Sequence, residues 1–447
     1  MQDARIRSLF ISDENLGMLT DLYQLTMAAA YFQTGLDAEA TFELFVRELP
    51  PQRSYLIIAG LEQVVHYLTK IGFKGNQIEY LKNQPFFKKV DPRFFDYLAE
   101  FKFTGNLMAI PEGTIAFAQE PILQVTAPII QAQIVETYLL ATINFQTCIA
   151  TKAGRIVLAS KGKKVIDFGT RRAHGAQAGV LAARAAFIGG CVGTSNVLAG
   201  FELGIPIMGT AAHSFTMAFE SERQAFHNYH RVYPDHTILL IDTYDTIQGA
   251  KNAISIGPGL KGVRLDSGDL LRLSRRVRRL LDEAQCRDAQ IVASGDLNEY
   301  KIEKLLKDGA PIDIFGVGTE MVTSRDAPAL GGVYKLVQLR RMKDITGKIK
   351  TSPGKATLPY RKQVFRTFDR RGKFKADTVT VEGDLLDGEP LLKQIIKDGK
   401  LTGPLPEIID IQNRAIDQLH RLPDRYKRLS RPERYPVRFT QKLAKMP

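Results

Sequence analysis

His213 follows a run of small residues, Gly209-Thr210-Ala211-Ala212, that comes straight after an apolar stretch. A histidine at a strand end can serve as base, nucleophile or phosphoryl acceptor, and small neighbours leave room for a bulky charged ligand. A structural histidine would satisfy the same position. In Arg264-Leu265-Asp266-Ser267-Gly268-Asp269 two carboxylates stand three residues apart, a spacing that could hold Mg²⁺ or orient sugar hydroxyls. Asp269 could equally cap the helix that follows, and the pair Asp242 and Asp245 poses the same alternative one strand earlier. Two loops, Ser294-Gly295-Asp296 and Gly316-Val317-Gly318-Thr319, carry glycines that let backbone N–H groups come close to a phosphate. Arg171, Arg172 and Arg264 could clamp further anionic groups, and His174 lies beside the first two. The chemistry implied is recognition of a ligand with several negative charges and a metal, whose protein ligands the spacing does not identify. No HxH or HExxH occurs, which argues against a zinc enzyme.

Such groups must be held by repeated elements. Short β-branched runs at 165–169, 205–209, 238–242, 263–266, 291–295 and 312–316 each end in polar or glycine-rich residues. Continuous apolar runs of this length suit strands buried on both faces. Helix-like stretches at 176–188, 221–229, 246–254, 270–284 and 297–307 alternate with them. Strand, polar turn and helix in repetition predict parallel β/α architecture, and no GxGxxG follows the first strand. Polar residues after every strand favour a barrel, irregular or incomplete, over 165–318, with its site at the strand C-terminal ends and a phosphate at the last loops. Residues 1–128 predict a mixed α/β domain with helices at 21–31 and 60–70 and strands at 41–46 and 115–125. The barrel domain is expected over 129–330, with 331–403 returning to the mixed domain through strands at 333–339, 364–367 and 378–381. Residues 404–447 read as a basic helical surface appendage.

The chain has 447 residues, 61 Lys+Arg and 48 Asp+Glu, for a formal charge of +13. Residues 331–447 hold 27 of the basic and 13 of the acidic groups, so the first 330 residues are nearly neutral. That distribution speaks against a nucleic-acid binder: from residue 400 onward only Tyr426, Tyr435 and Phe439 could interleave with the charges. Cys148, Cys191 and Cys286 are odd in number and far apart, as expected in a reducing cytosol. The first residues lack the apolar core of a secretory signal. Residues 121–151 carry one ionisable group, Glu136, but several Gln and Asn, and read as buried helix rather than membrane span. The expectation is a soluble cytoplasmic protein with no membrane partner.

These motifs resemble those of nicotinate phosphoribosyltransferases. The matches run in order: Leu19-Thr20-Asp21-Leu22-Tyr23-Gln24-Leu25-Thr26-Met27, Phe42 to Arg47, Asp167-Phe168-Gly169-Thr170-Arg171-Arg172, Gly193-Thr194-Ser195-Asn196, Gly209 to Ser214, Leu265 to Asp269, Gly316 to Thr319 and Lys355-Ala356-Thr357-Leu358-Pro359. The resemblance implies a type II phosphoribosyltransferase fold, an irregular α/β barrel plus a mixed α/β domain, usually in a homodimer with shared active sites. It implies formation of nicotinate mononucleotide and pyrophosphate from nicotinate and 5-phosphoribosyl 1-pyrophosphate, with Mg²⁺ as cofactor and ATP as co-substrate. It assigns His213 as the histidine phosphorylated by ATP; Asp266, by its place at a strand end, is the other catalytic candidate. Tyr23, Arg171 and Thr210 take nicotinate; Arg264, Ser294, Gly295, Gly318, Thr319 and Thr357 take the phosphates. By itself, Tyr23 on an amphipathic helix reads as core, and the resemblance reverses that. Nicotinamide and quinolinate are the alternative substrates. A barrel aldolase or sugar-phosphate isomerase would want a strand-end Lys or Glu, and none of the six strands ends in one.

Overall fold

The computed structural model describes residues 9–352 and 356–444; Lys355, which opens the late motif, and the first eight residues lie outside them. The chain divides into two compact units, Cys148–Pro328 and Met1–Thr147 with Ala329–Pro447.

The continuous unit holds six parallel strands: Lys164–Asp167, Gly193–Thr194, Ile238–Leu240, Gly262–Leu265, Gln290–Ala293 and Ile314–Val317. Ile314–Val317 pairs back onto Lys164–Asp167, which pairs with Gly193–Thr194, and on its other side come Gln290–Ala293, Gly262–Leu265 and Ile238–Leu240 in turn. Residues beside both ends of this sheet share one core, so it curls on itself. The expected strand at 205–209 supplies only a parallel bridge, Thr194 to Ile207. Pro206 lacks the N–H a full ladder would need. Gly193–Thr194, by contrast, is too short and too polar to stand out as an apolar run. Inside the curl Ile166, Val292 and Ile314 pack with Phe168, Val192, Met208 and Ile238.

The expected helices form at Ala176–Ile188, Glu222–Val232, Thr246–Ile254, Leu270–Glu283 and Glu299–Lys307. Ser221, Asp245, Asp269 and Asn298 cap four of them, each side chain accepting a backbone N–H of the first turn. Capping is thus what Asp245 and Asp269 do.

The discontinuous unit is built on a seven-stranded sheet in which Glu39–Val46 lies between Gly332–Arg341 and Leu123–Pro128, both antiparallel to it. This pairing joins a segment before the continuous unit to one after it in a single sheet. Residues 115–125, read as one strand piece, form two: Ile115–Ala116 and Leu123–Pro128. The boundary also differs from the expected 128/129. The helices Ile129–Ile134 and Glu136–Ala159 follow at once, and the division falls inside the second of them. Up to Thr147 that helix is tied to the N-terminal segment: the Gln146 amide donates to Gln63 Oε1, and the Thr147 hydroxyl to the Ala59 carbonyl.

The tail is no appendage. Helix Ile408–Arg421 buries Ile411, Ala415 and Leu419, one every four residues, and Val437–Phe439 adds a parallel strand to Phe374–Val381. The reason is a buried polar cluster. Arg366 clamps Asp377 with Nε at 3.0 Å and Nη2 at 2.5 Å, Tyr435 donates to Asp377 at 2.9 Å, and Gln418 accepts from Arg366 at 3.1 Å. Glu120 faces the same cluster, fully buried, its Oε2 accepting from the Phe117 N–H. One guanidinium meets two carboxyls. Burial and the Asp377 charge hold the Glu120 carboxyl well above the usual range, so it keeps a proton in the fold. Its raised folded pKa means that stability is full below the ordinary value near 4.5 and falls as pH rises above it. Glu120→Gln, neutral at every pH, is expected to match the parent at acidic pH and to gain on it towards neutrality. Denaturant titrations at several pH values check this; a pH-independent difference between the two proteins refutes it. Among the described residues no helix is long and apolar enough to cross a membrane.

Candidate active site

The strand ends of the barrel unit bring the signalled groups together. Arg264, near the end of Gly262–Leu265, is the hub: Nη1 donates to Thr210 Oγ1 at 2.9 Å, Nε to Ser294 Oγ at 2.8 Å and Nη2 to Asp266 Oδ1 at 2.6 Å. Its guanidinium also lies over the Phe168 ring, 5.3 Å from the centroid. Three strands and the loop carrying His213 are joined by that one side chain, which a planar five-donor fork can do and an ammonium cannot. Ser294 donates to Asp266 Oδ1 at 2.5 Å. Burial raises the Asp266 pKa, but the Ser294 hydrogen bond and the Arg264 charge outweigh it, and the carboxyl lies below its ordinary value.

His213 opens the short helix His213–Met217. Its Nδ1 is 3.2 Å from Thr243 Oγ1 and its Nε2 is 4.0 Å from Asp266 Oδ2, with the ring partly open to solvent. Thr243 stands between Asp242 and Asp245, and neither its type nor its spacing marks it as a partner of the imidazole. Asp242 Oδ2 accepts from the Asp266 N–H and the Ser267 hydroxyl, both at 2.8 Å, while its Oδ1 is buried with no hydrogen-bond partner. His66, His227 and His230 are engaged elsewhere, with Asp13, Ser255 and Thr237.

Asp167, nearly fully buried, accepts from the Gly169 N–H and the Thr194 hydroxyl. It braces the turn that presents Arg171 and Arg172, both exposed, in Thr170–Arg172. Gly295 has φ +92°, and a Cβ there would collide with the Asp266 carbonyl, so only glycine lets the two loops close on each other. Gly318 and Thr319 lie at the end of Ile314–Val317, partly exposed. The hydroxyl of Ser294, expected as a phosphate contact, is engaged with Arg264 and Asp266.

Tyr23 and Thr357 belong to the other unit. Tyr23 is about half exposed (48%) and is therefore not the core residue its helical spacing suggests. Thr357 Oγ1 accepts from the Lys350 N–H at 3.0 Å. It lines a cavity of about 540 Å³ with Glu43, Arg47 and Lys362. Lys362 is neutralised by Glu43 at 2.7 Å, whereas Arg47 has Nε and Nη2 buried without partners. Unpaired buried guanidinium nitrogens call for an anion. Arg47 was legible only as the last residue of a motif, with nothing in its neighbours to mark it as a binding group.

Mg²⁺ keeps several waters and is bound through one or two carboxylates plus substrate phosphates. The partnerless Asp242 Oδ1 and the outward oxygen of Asp266 are of the right chemistry for such a role. Among the described residues no group of three or more His, Cys, Asp or Glu is arranged to hold a metal alone.

Comparison with known proteins gives consistent matches. The nicotinate phosphoribosyltransferase (NAPRTase) family description matches residues 163–369, its N-terminal domain residues 18–144 and its C-terminal domain residues 386–447. The chain is 44% identical to nicotinate phosphoribosyltransferase pncB2 of Mycobacterium tuberculosis, over 91% of this chain and 87% of that one. It is 39% identical to the nicotinate phosphoribosyltransferase of Bacillus subtilis, over 96% and 94%. The crystal structure of human nicotinic acid phosphoribosyltransferase superimposes with a TM-score of 0.84 at 28% identity, covering 95% of this chain and 98% of that one.

Proposed function

The chain belongs to the nicotinate phosphoribosyltransferase family, and we propose that the strand-end site around Arg264, Asp266 and His213 is where it carries out that chemistry. The enzyme joins nicotinate to the ribosyl carbon of 5-phosphoribosyl 1-pyrophosphate, releasing pyrophosphate and forming nicotinate mononucleotide, the entry to NAD salvage from nicotinate. The observation that carries the siting is the single guanidinium of Arg264, which ties Thr210, Ser294 and Asp266 into one rigid wall with His213 at its rim.

Breaking the C1–pyrophosphate bond develops positive charge on the sugar and negative charge on the leaving group. The protein must neutralise the second and hold the pyridine nitrogen in line with the bond. Arg171, exposed in the turn Thr170–Arg172, takes the nicotinate carboxylate, and the family resemblance gives the stacking role to Tyr23. Gly318 and Thr319, with the backbone at Gly295, take the 5-phosphate; Thr357 and Arg47 take a further phosphate group in their cavity. Asp266, held ionised, faces the developing positive charge. Mg²⁺, when bound at Asp266 and Asp242 with substrate phosphates, supplies charge neutralisation of the leaving pyrophosphate. No protein nucleophile towards the sugar is needed for this displacement.

ATP enters through His213. An imidazole nitrogen accepts the γ-phosphoryl group, the P–O bond to ADP breaks, and later hydrolysis returns the free ring. The phosphorylated histidine changes affinity for substrates and products, which couples ATP hydrolysis to turnover. We place the protein in the cytosol as a homodimer. The three cysteines are buried, and helix Val197–Leu203 exposes Val197, Leu198 and Phe201 beside Ile207, an apolar face suited to a second copy.

Mononucleotide formation measured with Mg²⁺ and phosphoribosyl pyrophosphate, on nicotinate, nicotinamide and quinolinate in turn, each with and without ATP, tests this reading. Product from nicotinate, increased by ATP, is expected; turnover of nicotinamide or quinolinate alone would overturn it. Sedimentation of the same preparation should report two copies.

A further inference from the structure

The residue after Tyr23 has no role in the reading above, yet it is one of the most completely buried polar side chains of its unit. Gln24 is 0% exposed. Its Oε1 accepts from the Thr20 hydroxyl at 2.6 Å and from the Asp21 N–H at 2.7 Å. The Thr137 hydroxyl, 2.9 Å from the same oxygen, gives its one proton to Asp21 Oδ2 at 2.6 Å. With the carbonyl end fixed in this way, the amide plane and hence the direction of Nε2 are determined. Nε2 donates to the Tyr23 hydroxyl at 3.1 Å. Glu136, whose own carboxylate accepts from the Gln133 amide at 3.0 Å, lies against the same hydroxyl.

We propose that Gln24 is a positioning residue for nicotinate binding: it holds the Tyr23 hydroxyl so that the half-exposed ring is presented in one orientation. The inference rests on the assignment of Tyr23 to nicotinate. A helix of twelve residues, Leu22–Gln33, fixes the Tyr23 backbone but leaves its exposed side chain free to change rotamer. An aromatic platform that must be met face-on gains from losing that freedom before the ligand arrives. Gln24 also closes the capping box of this helix by accepting the Asp21 N–H, but that role uses only the carbonyl end of the amide and leaves Nε2 for the Tyr23 hydroxyl. Burial and the neighbouring Glu136 push the Tyr23 hydroxyl up to about 12, so it remains protonated, and able to donate to Glu136, at working pH.

Steady-state kinetics on full-length variants tests the role. Gln24→Met keeps the volume and removes both ends of the amide; it is expected to raise KM for nicotinate about tenfold, the worth of one well-placed hydrogen bond, with kcat and the KM for phosphoribosyl pyrophosphate little changed. Tyr23→Phe, which removes the hydroxyl from the other side, should raise the nicotinate KM similarly, and the double variant should be no worse than either single one. Thr20→Val, which deletes the hydroxyl donor to the carbonyl, gives a smaller rise in the same constant and covers the case in which Gln24→Met does not fold. Equal losses for both substrates, or effects of Gln24→Met and Tyr23→Phe that add, overturn the inference. Tyr23→Ala separates it from its premise. An unchanged nicotinate KM in Tyr23→Ala removes the Tyr23 assignment and the inference with it. A raised KM there, with Gln24→Met unaffected, removes the inference alone.

Discussion

His213→Ala is expected to abolish both the stimulation of mononucleotide formation by ATP and the labelling of the protein by γ-phosphate, while leaving a basal reaction with phosphoribosyl pyrophosphate. The geometry separates the two activities. His213 sits at the rim, its Nδ1 on the Thr243 hydroxyl at 3.2 Å and its Nε2 4.0 Å from Asp266, and none of the Arg264 contacts passes through it. Removing the imidazole therefore takes away the only strand-end nucleophile proposed to react with ATP without dismantling the wall that positions the sugar. The labelling should follow the ring and not the fold, so His213→Asn, which retains a polar side chain, should behave like the alanine variant. Covalent label retained in either variant would move the phosphorylation site to another residue. Loss of the basal reaction along with the stimulation would mean that His213 also takes part in binding or chemistry at the sugar.

Arg264→Lys should be the more damaging change for the basal reaction, although it keeps the charge. The guanidinium makes three divergent hydrogen bonds, to Thr210, Ser294 and Asp266, and lies over the Phe168 ring. A lysine ammonium is a compact point charge on a flexible stem and cannot hold three loops at once. Loosening the relative position of groups that must act together costs on the order of 10²-fold in kcat/KM. A second signature goes with it. Asp266 is held below its ordinary pKa against the opposing effect of burial by the Ser294 hydrogen bond and the Arg264 charge and hydrogen bond. When the Arg264 contact is lost the carboxylate becomes easier to protonate, so the acid limb of the pH–rate profile should move towards neutral pH. A variant with near-parental kcat/KM and an unmoved acid limb would show that Arg264 is not the organising residue.

Much of the barrel was legible because its strands are short, apolar and β-branched, and because each is followed by a polar turn and an amphipathic helix; the helices Ala176–Ile188 and Thr246–Ile254 have the bounds the pattern predicts. The misses have physical causes. Gly193–Thr194 is a two-residue strand of small and polar residues, and 205–209 looks like a strand but carries a proline and stops at one bridge. The basic tail was misread as an appendage because its charge is conspicuous. What holds it is a partner far away in sequence: Tyr435 reaches Asp377 and stacks on Phe117 with ring centroids 3.7 Å apart.

At the site, residue types and order were enough to single out His213, Asp266, Arg264 and the glycine loops, since phosphate recognition needs cations, backbone N–H groups and close approach, and these leave a local mark. Residue type does not say where a side chain's hydrogen bonds go. Only the tertiary structure sets the Ser294 hydroxyl between Arg264 and Asp266, makes Asp245 and Asp269 helix caps, and places Thr243 on the imidazole. It likewise leaves Arg47 buried with unsatisfied nitrogens and encloses Gln24 around the hydroxyl of Tyr23. Each of those outcomes depends on which partner arrives from another part of the chain to satisfy a donor or acceptor. The sequence by itself determined the class of fold and the family's chemistry, because both are written in local pattern and in motifs. The division of labour among the polar groups was decided by long-range packing, which brings together atoms that no local pattern relates.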